Sequence, residues 1–159
     1  MLQSPLGNPS ADAGEDSRNG RILAVDPASG EPIAEYVYRF EAAHEFEELD
    51  QDELKLSALV WLDDSRLLAL ERTDLVARLY LLDLAEATDI LGTDWDTPAA
   101  EDDPDRALEA QGEDELRAAG VVPLKKSLLT YLEALPGMPE TTLPSAISTR
   151  MAGTAGRGY

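Results

Sequence analysis

The sequence predicts an all-β fold. Three observations carry that expectation: short apolar runs rich in β-branched and aromatic residues, turn residues placed between them, and a stretch from 56 to 84 in which three such runs follow in succession. The first 20 residues read as a loop, because Pro5, Gly7, Pro9, Gly14 and Gly20 stand among polar residues. Residues 21–26, "RILAVD", then read as a strand. Asp26-Pro27 and Gly30 supply the restricted and permissive backbone positions of a tight reversal. Residues 33–40, "IAEYVYRF", return as the second strand of a hairpin.

The acidic segment 42–54 reads as a polar connection with a helical turn. Beyond it, residues 56–62 and 67–70 form a second predicted hairpin around the turn Asp63-Asp64-Ser65-Arg66. Residues 77–84 extend this hairpin to a three-stranded antiparallel meander. Residues 85–120 predict a long acidic loop followed by a short helix near 104–119, with Pro104 tolerated at its start. The run "VVPLKKSLLTYLEAL" from Val121 fits a strand and a short helix equally.

The last 19 residues contain no Asp or Glu, whereas the first 140 contain all 32. Residues 1–140 therefore read as domain material, and 141–159 as a disordered or foreign tail; an ordinary Gly- and Ser-containing terminus is the alternative. Meanders of short strands fit a sandwich, a barrel or a propeller. A propeller blade takes about 40–50 residues and a closed ring needs at least about four blades. A chain of 159 residues supplies three at most, so the expectation is a partial β-propeller.

Composition narrows the function. The chain has a net charge of -19, from 13 Lys and Arg against 32 Asp and Glu, which disfavours nucleic acid and anionic membrane surfaces as partners and suits a cationic ligand or divalent metal. With no cysteine there are no disulfides, thiolate metal sites or cysteine nucleophiles. No run approaches the ~20 apolar residues of a membrane span, and the opening residues lack the basic start and apolar centre of a signal peptide.

Several runs resemble the phytase-like family, described as esterase-like activity of phytase. They are "LQSPLGNP", "SRNGRILAVDPASGEPIAEYVYRFE", "LSALVWLDDSRLLALER", "ARLYLLDLAEATDI", "LGTDWD" and "VVPLKKSLLTYLEALPGMPE". The resemblance covers most of residues 2–140, and its most specific parts are Leu70-Glu71-Arg72 and the run from Tyr80 to Thr88. It implies a β-propeller, an exported protein of extracellular or periplasmic setting, and hydrolysis of a phosphate or carboxylic ester. It also implies a blade before residue 2 and a continuation after residue 140, so that the chain is expected to be a fragment. A non-catalytic binding or structural module, or a truncated product, is the alternative. Open strand edges left by missing blades imply self-association.

Within that frame Glu71 and Arg72 are the candidate catalytic pair. Adjacent on an extended strand, they point to opposite faces and are not an ion pair with each other. Glu71 suits a general base or metal ligand, and Arg72 offers a planar donor fork to a phosphate. The structural alternative is that both end a strand and pair with neighbouring blades. Asp94 and Asp96 are the candidate metal ligands, with calcium as the cofactor. A twelve-residue calcium loop starting at Asp94 places Ala99 where Gly is required and Asp105 where Glu closes the loop, so it is not an EF-hand. His44, the single histidine, sits in no zinc or triad pattern and is expected at the surface. Ser4 and Ser57 lack a nucleophile-elbow setting. Trp61, Trp95, Tyr36 and Tyr38 are expected in the core.

Overall fold

The computed structural model describes residues 3–46, 50–99 and 103–132. The tail 141–159 lies outside these residues. The chain is mostly β, in two antiparallel sheets: a two-stranded hairpin, β1 (Asn19–Val25) with β2 (Pro32–Arg39), and a four-stranded meander of β3 (Lys55–Asp63), β4 (Arg66–Arg72), β5 (Ala77–Asp83) and β6 (Lys125–Tyr131). Neither sheet closes on itself. Among the described residues there is a blade-sized meander and no closed ring of sheets.

Local chemistry explains the turns. Between β1 and β2 the Asp26 carboxylate accepts from the backbone of Ala28 at 2.7 Å, and Gly30 adopts a φ of 77°, where a side chain would be strained. Between β3 and β4 the Asp63 carboxylate accepts from Ser65 N and from the Arg66 guanidinium, closing a two-residue loop. The strands of the meander pair in the order of the chain, with Leu67 opposite Leu82, Ala69 opposite Tyr80 and Glu71 opposite Arg78. Strict alternation in β4 and β5 puts these six residues on one face, and all six are buried.

That face packs against the hairpin. The principal core joins Ile22, Tyr38 and Phe40 of the hairpin side to Leu56, Leu67, Ala69, Tyr80 and Leu82 of the meander. Gly20 is required there, because a Cβ would stand 2.8 Å from the Phe40 ring. The hairpin's other face carries Val37 into a second core with Ile90, Leu108, Leu116 and Val121, all from the long connection between β5 and β6. Three layers result: connection, hairpin, four-stranded sheet.

Three expectations change, and one open alternative is decided. The first 20 residues include a short helix, α1 (Ala11–Asp16), whose N-cap Ser10 accepts from Ala13 N; six residues carrying a glycine were too short for a periodic signal. The helix near 104–119 is broken into two 3-10 turns, Pro104–Arg106 and Leu108–Ala110, and a short α2 (Glu113–Ala118). Asn19 breaks it by drawing the carbonyls of Leu108 and Gln111 to its own side-chain amide. Val121 onward resolves as loop and then β6, a strand rather than a helix. Trp61 is not core: it is 59% exposed, near the end of edge strand β3. Trp95 and Tyr36 do pack against the two cores, Tyr38 is buried, and His44 is exposed in a 3-10 turn.

Candidate active site

Glu71 and Arg72 separate as expected for neighbours on a strand. Glu71 points into the layer between hairpin and meander and is fully buried. Its Oε2 accepts from the Tyr38 hydroxyl at 2.5 Å and from Lys126 Nζ at 2.8 Å, and its Oε1 accepts from Glu41 N at 3.0 Å. Three donors thus come from β2, β6 and the segment after β2. Lys126 in turn donates to Arg39 O at 2.9 Å and pairs with Glu41 at 3.0 Å, which accounts for its three protons. Its ammonium also lies 4.4 Å and 4.9 Å from the ring centroids of Tyr80 and Tyr38.

Burial, and then the Glu71 charge, push the Tyr38 hydroxyl far above its ordinary range, so it is a donor at any pH the fold survives. Burial does the same to Tyr80. Beside this cluster, Arg78 lies 3.8 Å from the Phe46 ring centroid, and its guanidinium donates to Glu45 O at 2.5 Å. Together these groups make one end of the inter-sheet layer polar, charged and almost fully satisfied. Arg78 Nε is the exception, buried without a hydrogen-bond partner among the described residues.

Arg72 lies on the opposite face. Its side chain is 39% exposed and, among the described residues, contacts Thr73 O at 3.3 Å and Asp74 at 3.2 Å, both through one nitrogen of the guanidinium. Such a fork suits an anion. Glu71 and Arg72 do not converge on one point.

Asp94 and Asp96 lie in the turns that follow Ile90. Asp94 is 90% exposed, shares a shallow pocket with Trp95 and Arg106, and stands 3.5 Å from the Arg106 guanidinium. Asp96 accepts from Gly92 N at 2.8 Å. Among the described residues no three His, Asp or Glu side chains are grouped to hold a metal ion.

A second buried charge cluster escaped sequence reading. Arg21 donates to both oxygens of Glu109, at 2.8 and 3.4 Å, and more weakly to Glu35 at 3.4 Å; Asn8 donates to Glu109 at 2.8 Å. Burial raises the Glu35 carboxyl, Arg21 opposes the rise and the nearby Asp96 adds to it. The residues missed around Glu71 were Tyr38, Glu41 and Lys126. The one signal for them was the Lys125-Lys126 pair at the start of a strand-like run, where strand parity turns one of the two lysines inward.

A family model described as phytase-like, esterase-like activity of phytase, matches residues 1–144. The chain belongs to the phytase-like family. No curated protein and no solved structure matches it significantly. The match takes in both β-sheets, the Glu71 cluster, Arg72, and the Asp94–Asp96 turn of this phytase-like chain. No helix among the described residues is long and apolar enough to cross a membrane.

Proposed function

We propose that this phytase-like chain takes part in hydrolysing a phosphate or carboxylic ester, as one section of a β-propeller. The observation that carries the proposal is the family match over residues 1–144. The four-stranded antiparallel meander supports the propeller part, since such a sheet is the unit of a blade. Arg72 is the substrate-facing group: its half-exposed fork suits a phosphate or a carboxylate. Glu71 supports it from behind, fixing the end of β4 through three hydrogen bonds; its full burial favours this over the base or metal-ligand role that its sequence position suggests. Calcium enters the proposal through Asp94 and Asp96, with Arg106 competing for the Asp94 carboxylate. The proposed setting, extracellular or periplasmic, rests on the family resemblance alone, and fractionation of the source cells tests it.

A non-catalytic binding or structural module is the second reading, and the closed environment of Glu71 favours it. Turnover assays against phytate and an aryl ester, with and without calcium, separate the two. Hydrolysis of either ester that falls at least tenfold in Arg72→Ala supports the enzymatic proposal. Absence of turnover in all four assays supports the module. Calorimetric titration of calcium into the chain and into Asp94→Asn and Asp96→Asn tests the metal separately.

A further inference from the structure

The sequence contains two asparagines, and their neighbours give them different chemistry. Asn8 precedes Pro9, which has no amide N–H and cannot close a succinimide on the side chain before it. Asn19 precedes Gly20, whose missing side chain leaves its amide nitrogen unhindered for attack on the Asn19 carboxamide. Asn19-Gly20 is therefore the pair of this chain most open to spontaneous deamidation.

The fold restrains each participant in that reaction. Asn19 is fully buried, its side-chain nitrogen donates to Leu108 O at 2.7 Å and to Gln111 O at 2.8 Å, and its oxygen accepts from Arg39 Nη1 at 2.8 Å. The leaving group is thus clamped. Gly20, the nucleophile, is held in the ladder opposite Tyr38 and lies against the Phe40 ring. Ring closure needs the backbone between Asn19 and Gly20 to leave the extended conformation, and the hydrolysis that follows needs water. Both require the start of β1 to come away from β2 and from the connecting segment.

We infer that Asn19 is a deamidation site gated by the docking of residues 104–121 on the hairpin, and that its modification leaves this segment permanently loosened. In the opened chain the Gly20 nitrogen loses its proton and bonds to Asn19 Cγ, while the Cγ–Nδ2 bond breaks and ammonia leaves. Water then opens the succinimide at either of its C–N bonds, giving aspartate or isoaspartate at position 19. An aspartate sets a carboxylate oxygen against the Leu108 and Gln111 carbonyls with no proton to offer either of them, while Arg39 serves its other oxygen. An isoaspartate adds a methylene to the β1 main chain and breaks the register of Asn19 with Arg39. Neither product rebuilds the clamp. The anchors beside it, Leu108 in the second core and Glu109 on Arg21, then hold the segment without it.

Peptide mapping by mass spectrometry of the full 159-residue chain, incubated at one pH and temperature with and without denaturing urea, tests the gate. Deamidation at Asn19 should be at least about tenfold slower in the native chain than in urea, because it proceeds only through the open form. Mapping also separates Asn19 from Gln111, which precedes Gly112. Leu116→Ala weakens the second core and leaves the Asn19-Gly20 pair intact, so it should raise the native rate severalfold. Permanence is read on chain deamidated in urea, separated by ion exchange and refolded, with Asn19→Asp as a directly made counterpart. In both, backbone amides of residues 108–121 should exchange with solvent at least about tenfold faster than in the parent chain. Equal rates in native and urea samples, or a native rate indifferent to Leu116→Ala, would overturn the gate. Parent-like exchange in the refolded product would overturn the permanence.

Discussion

Glu71 and Glu109 are both carboxylates withdrawn from water, and they are held in different ways. Glu71 lies between two sheets and collects a phenol, an ammonium and a backbone amide from three separate segments. Glu109 lies between the hairpin and the connecting segment, where one guanidinium spans both of its oxygens and Asn8 adds an amide. The lysine site is balanced by convergence, because a compact ammonium can be shared by Glu71, Glu41 and a carbonyl at once. The arginine site is balanced by shape, because the planar fork commits most of itself to one carboxylate and leaves Glu35 with a longer contact. A buried charge is thus tolerated either by many partners or by one well-matched partner, and the cost of losing a partner differs accordingly.

The strongest way to break this comparison is Glu71→Ala. It leaves Lys126 beside Tyr38 and Tyr80 with the buried half of its pairing gone, and a loss of about 3–5 kcal/mol is expected in urea denaturation. Pairing it with Lys126→Met should recover most of that loss; a single-variant loss below about 1 kcal/mol would deny the clasp. Next in size is Glu109→Gln, where the amide keeps an acceptor but the charge-assisted bonds to Arg21 go. A loss of about 1.5–3 kcal/mol is expected by the same measurement.

Glu35 sharpens the comparison through pH. Its folded carboxyl is raised by burial, so the folded state binds its proton more readily than the unfolded chain. That contribution is present below the unfolded carboxylate range, near about 4.3, and is lost as pH rises through the folded value. Glu35→Gln removes the dependence. Its melting temperature should therefore gain on that of the parent chain as pH rises from 4 to 8; a constant or shrinking difference would contradict the assignment. Smallest is Arg72→Ala, expected to alter stability by no more than about 0.5 kcal/mol, since its contacts are long and solvated. A larger change would mean that Arg72 belongs with the buried charges.

Strands β1 to β5 were legible because local alternation and turn chemistry specify them, and each was placed within two residues of its bounds. β6 was ambiguous because Leu128, Leu129, Tyr131 and Leu132 satisfy helical spacing as well as alternation; pairing with β5 decides it, and that pairing is not local. The helix near 104–119 failed for the same reason, since Asn19, which holds the Leu108 and Gln111 carbonyls, lies far away in sequence. In the candidate site, the opposite facing of Glu71 and Arg72 follows from strand geometry and was legible. The partners of Glu71 were not, because Tyr38 and Lys126 stand 33 and 55 residues from it, and nothing in a local pattern links a phenol, an ammonium and a carboxylate over such intervals.

The placement of Lys126 on β6 also bears on how the chain reaches this structure. β3, β4 and β5 are joined by short turns, whereas β6 pairs with β5 across the long connection, so the expected order of folding has β6 docking last. Until then Glu71 lacks its ammonium and the β5 edge is open. The last strand to arrive carries the counter-ion for a charge already committed to the interior, so docking of β6 and neutralisation of Glu71 become a single event. An interaction formed so late acts on the way out more than on the way in: Lys126→Met should speed unfolding in stopped-flow measurements and leave the folding limb nearly unchanged. In kinetic terms the clasp is a latch on the finished sheet.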